Sequence, residues 1–240
     1  MARIVNQAAH AQRREEFINA AQRLIQTKGY EQMSIGDVLA ELNSSRGAFY
    51  HYFDSRQALL EAVVDQTAQT IATTLSTAVD LPGLTAPEKL RRFFAALAGW
   101  KLSQRDLLVA MLRVWQSDDN AIVRQKTRAK IVDYNAPALA RIIDHGVRDG
   151  AFTAAYPAQC ARVILALVQD LNDELAELFL ASELSDNDWH TIEHTVASYT
   201  DAVQRVLGVP VDTVVLIQPQ MLRSWFRPRH TQPGQGTVTA

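Results

Sequence analysis

Arg46, Tyr50 and His51 fall within one short polar stretch, and their side chains are those that grip a nucleic-acid duplex. An arginine reaches guanine O6 and N7 with two hydrogen bonds or holds a phosphate. A tyrosine hydroxyl and an imidazole donate to phosphate oxygens. Gly47 and Ala48, lying between them, have little bulk and let a backbone come close to a groove. Ser34, Ser44 and Ser45 stand at helix starts, where free N–H groups also bind phosphate. Arg56 supplies another cation in the next helix, and His10, Arg13 and Arg14 can flank the same surface.

Other stretches invite different chemistry. His190-Thr191-Ile192-Glu193-His194 matches the inverted zinc-protease pattern, with both imidazoles on one helical face. Such a site needs a further protein ligand and an open coordination position. Only Asp201 and Asp212 follow as acids, and Trp189, Ile192, Val196, Tyr199 and Val203 make the segment an amphipathic helix. A solvated polar stripe accounts for it better. Asp118-Asp119-Asn120 and Asn172-Asp173-Glu174 lack the spacing of magnesium-binding acidic motifs and read as caps or surface acid. Cys160, in the first turn of a helix, reads as a small apolar residue ahead of a redox sensor. No metal or cofactor is expected.

Composition narrows the classes further. The 240 residues carry 24 Lys and Arg against 26 Asp and Glu, so nucleic-acid binding must come from a local patch. One cysteine excludes an intramolecular disulfide framework. Ten glycines and eight prolines are few for this length and lean toward long helices. No apolar run approaches the roughly 20 residues that span a bilayer, and no secretory signal opens the chain, so a cytoplasmic location without membrane contact is expected.

The elements that must position these residues follow from periodicity. Phe17, Ala20, Ala21, Leu24 and Ile25 repeat as a helical stripe, which Lys28-Gly29 closes. Ser34 caps a short helix over Ile35, Val38 and Leu39, with Asp37 completing a capping box. Asn43 suits the left-handed turn, Ser45 caps the next short helix, and Asp54-Ser55 starts a long one reaching about Val79. Five further helices begin near Thr85, Arg105, Asn120, Pro157 and Asp186, the fourth of them running to about Ser182. Val211–Ile217 is a β-branched run that periodicity does not assign; the role of 211–229 stays open, and the terminal stretch reads as disordered. The fold class is all-α: an N-terminal three-helix head with a helix-turn-helix, joined by a long helix to a C-terminal helical body.

Helix-turn-helix geometry occurs in many proteins that never touch DNA, and residues 1–60 hold seven basic residues against six acidic ones. Periodicity and charge therefore leave both readings open. The stretch Gly47-Ala48-Phe49-Tyr50-His51-Tyr52-Phe53-Asp54-Ser55-Arg56-Gln57-Ala58-Leu59-Leu60 closely resembles the signature of the TetR family of bacterial transcriptional repressors. The upstream Ala20-Ala21, Leu24-Ile25, Gly29-Tyr30, Ser34-Ile35 and Val38 spacing is similar as well. The resemblance spans roughly Arg14 to Val63. It implies a recognition helix over about Ser45 to His51, with Arg46, Tyr50 and His51 facing DNA. Three positions depart from the pattern. Asn43-Ser44 replaces a common Gly-Val, Ala48 stands where a hydroxyl is frequent, and Arg56 replaces a usual lysine.

The resemblance further implies a homodimer binding a palindromic operator through two heads about 34–36 Å apart, released by a small, largely apolar effector. Pairing is expected through the helices around Val163–Phe179 and Trp189–Leu207. Phe93, Phe94, Trp100, Met111 and Trp115, with Gln169 and Asn172 as polar contributors, are the expected effector contacts. The expected division is 1–55 for the DNA-binding head, after a flexible start of about ten residues. It continues with 56–208 for the ligand-binding and dimerisation body and 209–240 for a partly disordered extension. A dimeric sensor lacking DNA binding, or a helical metal-dependent enzyme, are the alternatives.

Overall fold

A computed structural model describes residues 2–115, 121–181 and 183–226, and these form eleven α-helices with no strand among them. The head is α1 (Ala2–Lys28), α2 (Ile35–Glu41) and α3 (Arg46–Tyr50). Helix α4 (Arg56–Val79) leads into the body, which continues with α5 (Ala86–Ser103), α6 (Arg105–Trp115) and α7 (Ala121–Arg148). Then come α8 (Pro157–Glu174), α9 (Ala176–Leu180), α10 (Asp186–Leu207) and α11 (Pro219–Phe226).

Caps set the short helices. The Ser34 hydroxyl accepts from the Asp37 amide, and the Asp37 carboxylate accepts in return from the Ser34 amide at 2.7 Å. Ser45 and Ser55 accept from the Ala48 and Ala58 amides in the same way. Each satisfies an amide that the first helical turn leaves without a partner. Between α2 and α3, Asn43 takes φ 45°, the left-handed conformation that reverses the chain.

Two apolar clusters organise the molecule. The first joins Phe17, Ile25, Val38, Phe49 and Leu60 in the head and extends along α4 to Val64. It also takes in Leu107, Ala110 and Met111 of α6, so a body helix completes the core of the head. The second begins at Ile71 and runs through α5, α7, α8 and α10. Helix α4 thus belongs to both parts. Gly208 ends α10 at φ 65°, where a side chain would strike Thr153.

Two expectations about helix bounds are corrected. The first helix of the head starts at Ala2, where a flexible start of about ten residues is expected. Residues 7–12 are exposed or nearly so, and no glycine or proline interrupts Ala2–Lys28, so alanine- and glutamine-rich propensity carries the helix where no apolar stripe marks it. The helix from Pro157 ends at Glu174, and α9 follows after an interruption at Leu175. No breaker residue lies there, and α9 packs against α6 and α11.

The structure also gives the extension, left open by periodicity, a definite place. The β-branched run forms no strand; it crosses the body in turns, with Val214 and Leu216 buried and the Val214 amide donating to Gln204 Oε1 at 3.3 Å. Helix α11 then docks Leu222, Trp225 and Phe226 into the second cluster. Trp225 Nε1 donates to the Ala98 carbonyl at 3.3 Å, and Arg105 Nε donates to the Trp225 carbonyl at 3.1 Å. The expected cap at Ser117–Asn120 and the tail beyond Phe226 lie outside the described residues.

Candidate nucleic-acid interface and effector cavity

Helix α3 is anchored by one residue. Phe49 is 0% exposed and meets Phe17 edge-on with ring centroids 5.8 Å apart, and Phe53 at the same separation. Burying Phe49 turns the rest of the helix outward. Tyr50 is 54% exposed, Arg46, Gly47 and His51 are exposed, and Ala48 is half-buried. Arg46 makes no hydrogen bond or ion pair among the described residues. Ser34 and Ser45 are exposed at their caps, and Ser44 is half-buried in the turn. On the α1 side, His10 packs 5.3 Å from the His51 ring and 4.6 Å from Tyr52. Arg13 and Arg14 lie against Phe17 and Phe53, with guanidinium-to-centroid distances of 5.4 and 5.1 Å.

Arg56 behaves differently from expectation. Its Nη1 donates to the carbonyls of Tyr30, Glu31 and Met33 at 3.2, 3.3 and 3.0 Å, and its guanidinium sits 4.3 Å from the Tyr30 ring centre. The residue ties the start of α4 to the loop between α1 and α2. Its position in the first turn of α4 points the fork at that loop's carbonyls, so it acts as a positioning residue for the head.

In the body, α4 through α9 and α11 enclose a cavity of about 190 Å³. Its wall is largely apolar, with Ile71, Leu75, Leu97, Val168, Phe179 and Phe226 among its members. Trp100, Met111, Gln169 and Asn172 also line it. Phe93 does not: it is fully buried in the second cluster, because its turn of α5 faces the packed interior. Phe94 borders only a small side pocket of about 20 Å³. The Trp115 side chain lies outside the described set.

The polar part of the wall is sparse. Gln169 Nε2 donates to the Arg128 carbonyl at 2.9 Å. Asn135 is buried, donates through Nδ2 to the Ile131 carbonyl at 2.7 Å, and leaves its Oδ1 without a partner. Lys101 donates to Asn172 Oδ1 at 2.6 Å and lies 5.3 Å from the Trp225 ring. Burial pushes its ammonium down to about 8. Lys101, Asn135, Trp225 and Phe226 are absent from the sequence-based set. A signal for Lys101 exists: it follows Phe94 by seven residues and Leu97 by four, which places a lysine on the apolar stripe of α5.

Family models match both parts of the chain. Residues 17–63 match bacterial regulatory proteins of the tetR family, and residues 110–200 match the tetracyclin repressor-like C-terminal domain. The chain belongs to the tetR family.

This tetR-family chain is 42% identical over 52 residues to an uncharacterized HTH-type transcriptional regulator in the lacX 3' region of Lactococcus lactis subsp. lactis. That stretch is 22% of this chain and 26% of the relative. The transposon Tn10 TetC protein of Escherichia coli is 33% identical over 67 residues, 28% of this chain and 34% of that one. The matched stretches thus span about a quarter to a third of these relatives.

Solved structures extend the likeness of fold. A TetR-family transcriptional regulator from Pectobacterium atrosepticum has a TM-score of 0.63 at 20% identity, over 85% of this chain and 98% of that one. RolR in complex with resorcinol has a TM-score of 0.61 at 18% identity, over 92% and 97%.

His190 and His194 are exposed on α10 with rings 6.3 Å apart, and Glu193 faces Arg223 of α11 at 3.9 Å. Cys160 is half-buried against the second cluster. No described helix is long and apolar enough to cross a membrane.

Proposed function

We propose that this tetR-family protein is a cytoplasmic repressor that binds a palindromic DNA operator as a homodimer and leaves it when a small, largely apolar effector fills the body cavity. The observation that carries the reading is the sharing of α6. Leu107 and Met111 belong to the core of the head and also line the cavity. Residues 1–55 serve as the DNA-binding head, 56–208 as the sensing and pairing body, and 209–226 as a strap over the cavity.

Arg46, Tyr50 and His51 contact the major groove and its phosphates, with the exposed cap residues Ser34 and Ser45 close to the backbone. One five-residue helix makes too few contacts for specific binding, so two heads must act together on successive major grooves. The pairing surface is the outward side of α8 and α10. Most of their apolar residues are committed inward, as with Ile192, Val196 and Val203. What remains outside is a narrow strip with Val163, 48% exposed, and the exposed Ala166 and Ala197.

An effector that fits the cavity only when α6 has shifted favours heads at the wrong separation. A few kcal/mol of differential affinity suffices for a large population change. RolR carries a single-ring ligand, and a cavity of this size holds a molecule of that order.

The test is selection of bound sequences from random duplexes by the purified protein. An inverted repeat with half-sites one helical turn apart, or a multiple of it, is the expected result. Absence of any enriched sequence, or a strictly monomeric protein, refutes the reading.

A further inference from the structure

The cavity places one ionisable side chain, Lys101, among otherwise neutral described lining residues. We propose that the effector carries an acidic group, ionised when bound and seated against the Lys101 ammonium, on an otherwise apolar body small enough for the cavity. The inference rests on the reading of the body as a sensor and narrows the chemical class of what it senses.

An ammonium has three N–H donors. Lys101 gives one to Asn172 Oδ1, a neutral acceptor, and approaches the face of Trp225. Neither supplies a negative charge. The other polar lining groups, Thr67, Thr127, Asn135 and Gln169, are neutral as well. Two acids of α8 are engaged elsewhere: Asp170 accepts from the Tyr199 hydroxyl at 2.5 Å, and Asp173 pairs with Arg128.

Desolvation alone pulls the lysine down, to about 8, and no acid offsets it. At neutral pH the side chain therefore still carries a charge, in a place where charge is costly. A neutral occupant expels water from the cavity and leaves that charge worse solvated than before. A carboxylate or another organic anion does the opposite: it takes the two free donors and neutralises the site. Asn172, which fixes the Nζ position, is then the positioning residue, and the apolar wall selects for a hydrocarbon or aromatic body.

Trp100 and Trp225 line the cavity, so their fluorescence reports its occupancy. The full-length protein is titrated at pH 7 with benzoate, phenylacetate and octanoate, each beside its primary amide. At least one acid is expected to bind ten times or more tightly than its amide, as a charge-assisted hydrogen bond requires. Lys101→Met is expected to abolish that preference and Lys101→Arg to retain it, with circular dichroism of both variants verifying the fold. The proposal is overturned if every amide equals its acid, if no acid binds, or if Lys101→Met keeps the preference. Release of a selected duplex by a neutral molecule alone overturns it too, while leaving the repressor reading intact. Failure to select any duplex removes that reading and leaves acid binding measurable.

Discussion

The Arg56 guanidinium lies 4.3 Å from the centre of the Tyr30 ring while its Nη1 serves the Met33 carbonyl at 3.0 Å. One side chain therefore closes the corner where α1, the following loop and α4 meet. Burial raises the Tyr30 hydroxyl above its usual range against the pull of Arg56.

Arg56→Ala is expected to destabilise the head by about 1–3 kcal/mol through lost hydrogen bonds and ring contact. Urea unfolding without DNA measures this directly. Unchanged stability, combined with a uniformly weaker hold on all duplexes, would return Arg56 to the role of a phosphate contact.

Arg46→Ala acts on a side chain that holds nothing together. It is expected to leave thermal stability within about 0.5 kcal/mol and to relax base preference at one operator position by about 1–3 kcal/mol. Binding titrations on a set of singly substituted duplexes, run at two salt concentrations, read both effects.

Phe49→Ala removes the anchor of α3 and is expected to cost about 3–5 kcal/mol. Head resonances in NMR should collapse while tryptophan fluorescence from the body cavity persists.

Acid should loosen the head through Asp37. Lys28, bonded to it at 2.6 Å, and the Ser34 hydroxyl and amide hold its carboxyl below the usual range. The folded pKa is depressed, so the stabilisation is complete above the unfolded value of about 3.9 and fades as pH falls below it. Asp37→Asn should flatten that part of the acid-unfolding curve; an unchanged curve would exclude Asp37 as its source.

Lys101 works in the opposite direction. Its folded value of about 8 lies below the unfolded value of about 10.4, so between them the unfolded chain holds more protons and stability rises with pH. Lys101→Met is expected to be more stable than the parent at pH 7, by on the order of 1–3 kcal/mol. That gap should shrink toward pH 10. Thermal midpoints of the two proteins at both pH values decide it.

The head is legible because its punctuation is local. Ser34 with Asp37, Asn43, Ser45 and Ser55 each act within three or four residues, and the observed α2, α3 and α4 begin where these residues place them. The cavity is less so, since its wall is drawn from several helices far apart in sequence. Phe93 and Phe94 are neighbours, yet neither faces the main space. Helix α11 is illegible for the same reason. Eight residues give too little period, and Trp225 and Phe226 acquire meaning only against Ala98 and Phe179. Lys101 is hidden by its type, because a lysine in a helix reads as solvent-facing until its neighbours on the stripe are counted.

Met111 and Leu107 answer to two masters, the core of the head and the wall of the cavity. On the proposed reading, a substitution that enlarges the cavity at either position also reshapes the seat of α1, so a new chemical preference would arrive with an altered hold on DNA. Ile131, Asn135 and Val168 border the cavity and are not members of the head cluster. On the same reading, they are the sites where effector preference would change without disturbing the head.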